Sequence, residues 1–517
     1  MSEKRTVYYK DFGALGDGKT DDFLAIKACH DYANENGCKV RAEEGATYYI
    51  GDTNGAEIKV RTDVDWTGAT FFLDDKAVDA DSPGRGASIF IAASSFDNWS
   101  VTYGADSDVV KAMAGGFKTS VRSIGFKPGY PALIVVWDHN NYAYNRFGLS
   151  GNGSKTPPPQ RELIIVDAEG NIKEGTEFLL EYTGITQLEV YRIDDEPITM
   201  TGGTFITDAN YAPPEYTSYR RGITVHRSNT TITGLIHKII GEGDIGAPYQ
   251  GIIRFLNVNC LRISDCVFQS HKIYCDYLPD GRIKSRMGSY DFGGALSNDV
   301  VFYNCTQSNF FRSDDSKRPY GQWEYWGIMG SNWTKNITFD SCMLSRFDAH
   351  SGIYNLVIRN STINNIQLIG GGHALIENCI CYAGVGAFFG LRGDYGSTFK
   401  GTVEIKDCIM RPATPDAYIV SSSWWPWSVF GMDTTHNPKV IIDNLKIEGD
   451  INKVYAYKGP DSKGLPIGEK VFPDGTENIN PLDMSAPVIV RNNKEGYKLI
   501  GSTDPYVNEN ITIIYED

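Results

Sequence analysis

The chain has 517 residues, 41% hydrophobic and 22% charged, with a formal net charge of −15. That composition is ordinary for a folded globular protein and excludes a largely disordered chain. The longest apolar runs, such as 133–137 (LIVVW), fall far short of the ~18 residues a helical membrane span needs. The acidic balance argues against a nucleic-acid backbone or an anionic membrane surface as partner. The first ten residues, MSEKRTVYYK, lack the apolar run and cleavage site of a secretory signal. Localisation stays open between a cytoplasmic chain and one whose signal was removed.

In chain order, the first predicted element is a helix over 21–36 (DDFLAIKACHDYANEN). Phe23, Leu24, Ile26, Ala28 and Tyr32 form a mostly apolar stripe that Thr20 or Asp21 can cap. A strand follows at 45–50 (GATYYI). Between 95 and 197 the pattern changes. Segments 130–138, 162–167, 176–182 and 187–193 read as antiparallel strands and predict a β-sandwich-like insert, which by default walls one side of a cleft. Short strands resume at 198 and run to about 450, and the tail reads as a cap. The expected division is 1–94, 95–197, 198–450 and 451–517.

The strands after 200 repeat one another. Segments 261–268 (LRISDCVF), 300–307 (VVFYNCTQ), 337–344 (ITFDSCML), 356–363 (LVIRNSTI), 374–381 (ALIENCIC), 403–410 (VEIKDCIM) and 440–447 (VIIDNLKI) align in register. Each has alternating apolar residues, a polar corner, a small residue and another apolar position. The corners are Asp265, Asn304, Ser341, Asn360, Asn378, Asp407 and Asp443. The residues after them, Cys266, Cys305, Cys342, Ser361, Cys379, Cys408 and Asn444, are spaced by 39, 37, 19, 18, 29 and 36. A basal unit near 20 residues with one strand pattern per turn predicts an all-β solenoid, a parallel β-helix whose longer turns carry outward loops. Stacking then places Cys266, Cys305, Cys342, Cys379 and Cys408 in one buried ladder of reduced thiols rather than in disulfides or a zinc site. The Asn-x-Ser/Thr sequences at several corners are by-products of the same pattern.

The segment 10–22 (KDFGALGDGKTDD), the helix after it and the strand 45–50 resemble the pectate-lyase-like right-handed parallel β-helix superfamily. The resemblance implies that the helix caps the open end of the solenoid, where strand edges would otherwise be exposed. It also implies a range of activities: polysaccharide lyases, glycoside hydrolases, epimerases and tailspikes.

The candidate chemistry lies in the central coils. In 346–350 (RFDAH), Phe347 is expected inward and Arg346, Asp348 and His350 on the outer side. Asp314, Asp315 and Arg312 lie on the preceding coil, and the loop after them supplies Trp323, Glu324, Trp326 and Trp333. Aromatic faces beside acids suit sugar subsites. His271, Asp276 and His373 complete the substrate-binding candidates.

Two reactions compete. Glycoside hydrolysis needs an acid and a second carboxylate, here Asp348 with Asp314 or Asp315, and the register offset between them favours inversion. This pairing is similar to that of polygalacturonases, but their Asn-Thr-Asp, Gly-His-Gly and Arg-Ile-Lys motifs are not intact here. The alternative is proton abstraction beside a uronate carboxylate. The string Phe347-Asp348-Ala349-His350 is similar to the Phe-Asp-Pro-His of mannuronan epimerases and related lyases, with alanine in place of proline. That likeness implies proton transfer at Asp348 and His350 and a uronate neutralised by Arg346. The expectation is a carbohydrate-active enzyme, hydrolase first, with catalytic Asp314, Asp315, Asp348 and His350. No metal or cofactor is expected, save a calcium ion if the lyase branch holds. A non-catalytic glycan-binding or tailspike-like protein is the remaining class, and oligomeric state is left open.

Overall fold

The computed structural model describes residues 5–141, 159–213, 218–308, 328–383, 386–395, 397–422, 435–458, 482–503, 508 and 510–516. They form a right-handed parallel β-helix with three faces. The first sheet passes through Ile198–Thr201, Thr230–Thr233, Asn259–Ser264 and Asn298–Tyr303. The second passes through Thr204–Asp208, Ile236–Ile240, Val267–Phe268 and Thr306–Gln307. The third passes through Phe90–Ala92, Ile223–Val225, Gln250–Leu256 and Tyr290–Ala295. Two long strands, Ile328–Asp340 and Met343–Arg359, bend through the corners and serve more than one sheet.

The corner between the first and second sheets explains the repeat. Asp265, Asn304, Ser341, Asn360, Asn378 and Asp407 all have left-handed backbone, φ +50° to +57°, a region where asparagine and aspartate are enriched. Their side chains bridge coils: Asn304 Nδ2 donates to Asp265 Oδ1 at 2.7 Å and Asn378 Nδ2 to Asn360 Oδ1 at 2.8 Å. In the last aligned coil the corner is Asn444, φ +54°, not Asp443, which pairs with Lys406 inside the strand. The inward place there belongs to Leu445, which is buried. The one-residue slip follows from Asp and Asn standing side by side where only one can take the left-handed turn. A second asparagine ladder, unforeseen in the sequence, runs along the third-to-first corner, where Asn355 donates to Asn336 at 2.9 Å and Asn336 to Asn298 at 2.9 Å.

The cysteine ladder is present: Cys266, Cys305, Cys342, Cys379 and Cys408 are buried and unpaired by disulfides. Their thiols donate to strand carbonyls, as Cys408 does to Ile376 O at 3.3 Å. Cys305 is pushed up to about 12, first by its contact with the Cys266 thiol and then by burial, so it stays a thiol. Above the ladder the core is aliphatic and aromatic, with Phe71 stacked on Phe205 at 4.8 Å. Each such side chain contributes about 1.5–3 kcal/mol on burial.

The capping helix spans Phe23–Asn36 and buries Phe23, Ile26, Cys29, His30 and Ala33. Leu24 is 74% exposed, so the apolar stripe is rotated from the one expected. Asp21 Oδ1 accepts from the Phe23 amide at 2.9 Å, while Asp22 turns away to hold the Leu15 and Gly16 amides. His30, pressed onto Tyr9 (Nε2 to Oη 2.9 Å), is pushed down to about 3 by burial and stays neutral.

The insert is one four-stranded antiparallel sheet, in the order Gln160–Val166, Ala132–Asp138, Gln187–Arg192, Ser100–Gly104. Segment 176–182 is not a strand of it; Tyr182 forms a lone bridge with Phe117, and the Leu179 and Leu180 amides donate to the Glu162 carboxylate. Phe178 and Tyr182 instead pack under the sheet with Phe117 and Ile134. A single sheet suffices because its other face is closed by the solenoid: Leu133, Val135 and Leu163 lie against Leu296. The buried Lys335 Nζ reaches Glu162 Oε1 at 2.6 Å. Beyond residue 450 the coils continue. Lys453–Lys458, Val488–Arg491, Leu499–Ser502 and Ile513–Glu516 extend the ladders, so the tail is more solenoid than cap.

Candidate functional site

Outward positions of the third sheet stack into one row: Thr224, Arg254, Gly293, Gly330, Asp348, Gln367, Gly390. The glycines have a steric cause. A Cβ at Gly330 would stand 2.5 Å from the Tyr290 ring, and one at Gly390 would stand 2.6 Å from Gln367 Nε2. Long side chains therefore lie flat along the row, each over the glycine of a neighbouring coil. On this floor lies a cleft of about 190 Å³ whose lining includes Gln250, Arg254, Tyr290 and Asn332. Trp99 of the insert stands 5.8 Å from His226.

At one end of the cleft Tyr290 Oη lies 2.9 Å from His350 Nδ1. Tyr395 packs edge-on to the same imidazole at 5.8 Å. Both Tyr290 and His350 are half-buried. A phenol hydrogen-bonded to an imidazole at a cleft wall can pass a proton between a bound molecule and the protein.

The alternation expected for 346–350 is present, but what it delivers to the surface differs. Asp348 faces the outer side and is nonetheless buried, its carboxylate taken by Arg392 Nη1 at 2.5 and 2.6 Å and by Arg346 Nη2 at 2.8 Å. Burial alone would raise its pKa, but the two guanidinium charges outweigh it and hold the carboxyl well below the usual range. Asp348 is thus a fixed anion that ties together two arginines and lends negative potential to His350. Arg346 is buried with it.

The other candidates lie apart. His271 is buried below the second-to-third corner, 3.0 Å from Glu242 Oε1 and stacked on Tyr249 at 3.9 Å. Glu242, raised by burial, is brought below its ordinary value by the His271 hydrogen bond and charge. Asp276 sits on a hairpin of Tyr274–Tyr277 and Ile283–Met287, paired with Lys284 at 2.8 Å. His373 is on the first sheet, exposed and 3.1 Å from Glu404. Trp333 is buried against the insert, with Arg161 over its ring at 3.5 Å, so it is an interdomain contact. Asp314, Asp315, Arg312, Trp323, Glu324 and Trp326 lie outside the described residues.

Three residues were missed in the sequence: Arg254 and Tyr290 of the cleft, and the buried Arg392 that holds Asp348. The signal for the first two was the pair of glycines in 290–295 (YDFGGA) following 250–256 (QGIIRFL): glycine at outward strand positions marks a place where something else lies close. Arg392 carried no signal. Asp291, next to Tyr290, points the other way into the corner, where Ser270 and Gln307 donate to its Oδ2. Burial raises it to about 6, those donors offsetting only part of the penalty. Among the described residues no group of three His, Cys, Asp or Glu side chains could hold a metal ion. No described helix is long and apolar enough to cross a membrane.

No protein-family model matches the chain, and no curated protein does. Among solved structures it is similar to the tailspike gp61 of Pseudomonas phage phi297, at 13% identity and TM-score 0.38, over 90% of this chain and 84% of that one. It is similar to PfbA, a surface adhesin of Streptococcus pneumoniae, at 11% identity and TM-score 0.38, over 90% and 96%. It is also similar to the A-module of the mannuronan C-5 epimerase AlgE6 of Azotobacter vinelandii, at 12% identity and TM-score 0.28, over 87% and 98%.

Proposed function

We propose that this chain is a carbohydrate-active enzyme that lays a glycan along the third-sheet cleft and moves a proton with the Tyr290–His350 pair. The reaction class is proton abstraction beside a sugar carboxylate, which leads to a lyase or a C5-epimerase. The observation that carries the reading is the 2.9 Å contact between Tyr290 Oη and His350 Nδ1 at the wall of the cleft. One of the two removes the proton on C5, and the electron pair moves into the adjacent carboxylate. From there, breaking the C4–O4 bond with a proton delivered to the leaving oxygen gives an unsaturated product. Return of a proton to the opposite face of C5 gives the epimer instead. The buried Asp348 keeps Arg346 and Arg392 in place beside the imidazole.

Hydrolysis by a pair of aspartates ranks below this reading, because Asp348 is occupied by two arginines and is held ionised. A general acid must carry a proton, and a nucleophile must reach the sugar. A non-catalytic glycan-binding role gives no account of a phenol–imidazole pair at the cleft wall.

The test is incubation with a panel of uronate-containing polysaccharides, reading absorbance of unsaturated uronates, proton exchange at C5 and new reducing ends. Tyr290→Phe is expected to lower turnover about 10²–10⁴-fold with an unchanged melting transition. Reducing ends without chromophore or C5 exchange, at full rate in Tyr290→Phe, would return the assignment to hydrolysis.

A further inference from the structure

The four arginines buried among the described residues have carboxylate partners. Arg221 pairs with Asp75 at 2.6 Å, Arg227 with Asp194 at 3.0 Å, and Arg346 and Arg392 share Asp348. Arg254 differs from these four. It is half-buried in the cleft, and among the described residues it makes neither an ion pair nor a side-chain hydrogen bond. Its pKa is brought down to about 10, first by burial and then by the like charge of Arg220, with no carboxylate acting against either. A partly desolvated, unpaired guanidinium is costly. It is less expected still in a chain of net charge −15, where carboxylates are plentiful.

The surroundings are built for a ligand rather than for a missing partner. The stem of Arg254 crosses Gly293, whose absent Cβ would sit 3.9 Å from Arg254 Cγ and 3.2 Å from Gln250 O. Gln250 and Asn332 add uncharged polar groups on the same wall, and Tyr290 closes the end toward His350. Arg220, exposed, adds a second positive charge near the mouth. A planar guanidinium with free donors suits bidentate contact with a carboxylate.

We infer that Arg254, supported by Arg220, is the residue that selects an acidic glycan, by binding the carboxylate of a hexuronate one coil before the Tyr290–His350 pair. This rests on the reading of the third-sheet cleft as the glycan site. Arg254 acts by specificity and positioning and takes no part in proton transfer. A sulfate ester offers similar chemistry, and the probes separate the two.

The experiment uses the full chain carrying Tyr290→Phe, so that substrate is not consumed. The probes are polygalacturonate, alginate, their carboxyl-reduced counterparts, and a sulfated neutral galactan. Binding is followed by affinity electrophoresis and calorimetry at low and high salt. At least one polyuronate is expected to bind, its carboxyl-reduced form to bind about ten- to a hundredfold more weakly, and salt to weaken the first selectively. Adding Arg254→Gln is expected to remove that difference between native and reduced polymer, Arg254→Lys to restore part of it, and Arg220→Gln to have the smaller effect. Unchanged melting transitions show that the variants fold. Equal binding of native and carboxyl-reduced polymers, no binding of any polyuronate, or polyuronate binding untouched by Arg254→Gln would each overturn the inference. Binding of the sulfated galactan alone would replace the carboxylate by a sulfate and also overturn it as stated. If instead Tyr290→Phe keeps full turnover while Arg254→Gln still abolishes selectivity, the proton-transfer reading fails and the assignment of Arg254 stands.

Discussion

Asp291 and Asp348 are two buried carboxyls on strands of the same β-helix face, and their pKa values are moved in opposite directions. Asp348 meets two guanidinium groups and stays ionised; Asp291 meets a hydroxyl and an amide and is raised to about 6. Burial acts on both in the same direction, so the difference lies wholly in the partners. Burial of a carboxyl therefore says little about its chemistry until the opposite charges are counted. Neither group is an accessible acid or base of the cleft: one is locked by charge, and the other faces the interior corner.

The largest effect is expected from breaking the Asp348 side of this comparison. Asp348→Ala leaves Arg346 and Arg392 buried without their anion and should cost about 3–5 kcal/mol, read as a lower urea midpoint at neutral pH. If stability is unchanged, the arginines have another anion and the site is not closed around Asp348. In the wild type the depressed pKa means that this stabilisation is present at neutral pH. It is lost as pH falls below the unfolded carboxyl value of about 3.9 toward the folded one.

The sign reverses for Asp291. Its folded pKa is raised, so between about pH 4 and pH 6 the unfolded chain gives up a proton that the folded chain keeps, and stability falls as pH rises through that window. Two units correspond to about 3 kcal/mol at most. Asp291→Asn should flatten this slope while leaving the loss below pH 4 in place, measured as urea midpoints across pH 3.5–7. A slope that survives the substitution would show that Asp291 is not the titrating group.

A smaller effect serves as a control on uncharged parts of the same coils. Asn378→Ala should cost about 1 kcal/mol, through left-handed backbone and one lost bridge to Asn360, with no pH dependence. Asn378→Gly should recover the backbone part. In the same spirit, a thiol reagent should find Cys266, Cys305, Cys342, Cys379 and Cys408 unreactive in the native protein and reactive after denaturation.

The coil register was legible because each coil must satisfy the same local rules. Alternation sets the face, the left-handed corner demands Asn or Asp, and the narrow inward place after it admits Cys, Ser or, in the last coil, Leu445. These are short-range constraints repeated along the chain, so they surface as a pattern in the sequence. The outward direction of Arg346, Asp348 and His350 followed from the same alternation. What alternation cannot express is which outward groups meet. Tyr290 and His350 are sixty residues apart and touch at 2.9 Å only because the coils stack and glycine stands at 330. Arg392 reaches Asp348 across 44 residues and turns a supposed catalytic acid into the counter-ion of two arginines. Arg254 acquires its meaning from having no carboxylate partner among the described residues, which no local pattern can encode. The repeating coil was thus written in the chain itself. The pairing of charges across coils, and with it the chemistry of the cleft, was decided only when the coils were laid on one another, because electrostatic energy depends on distance in space and not along the sequence.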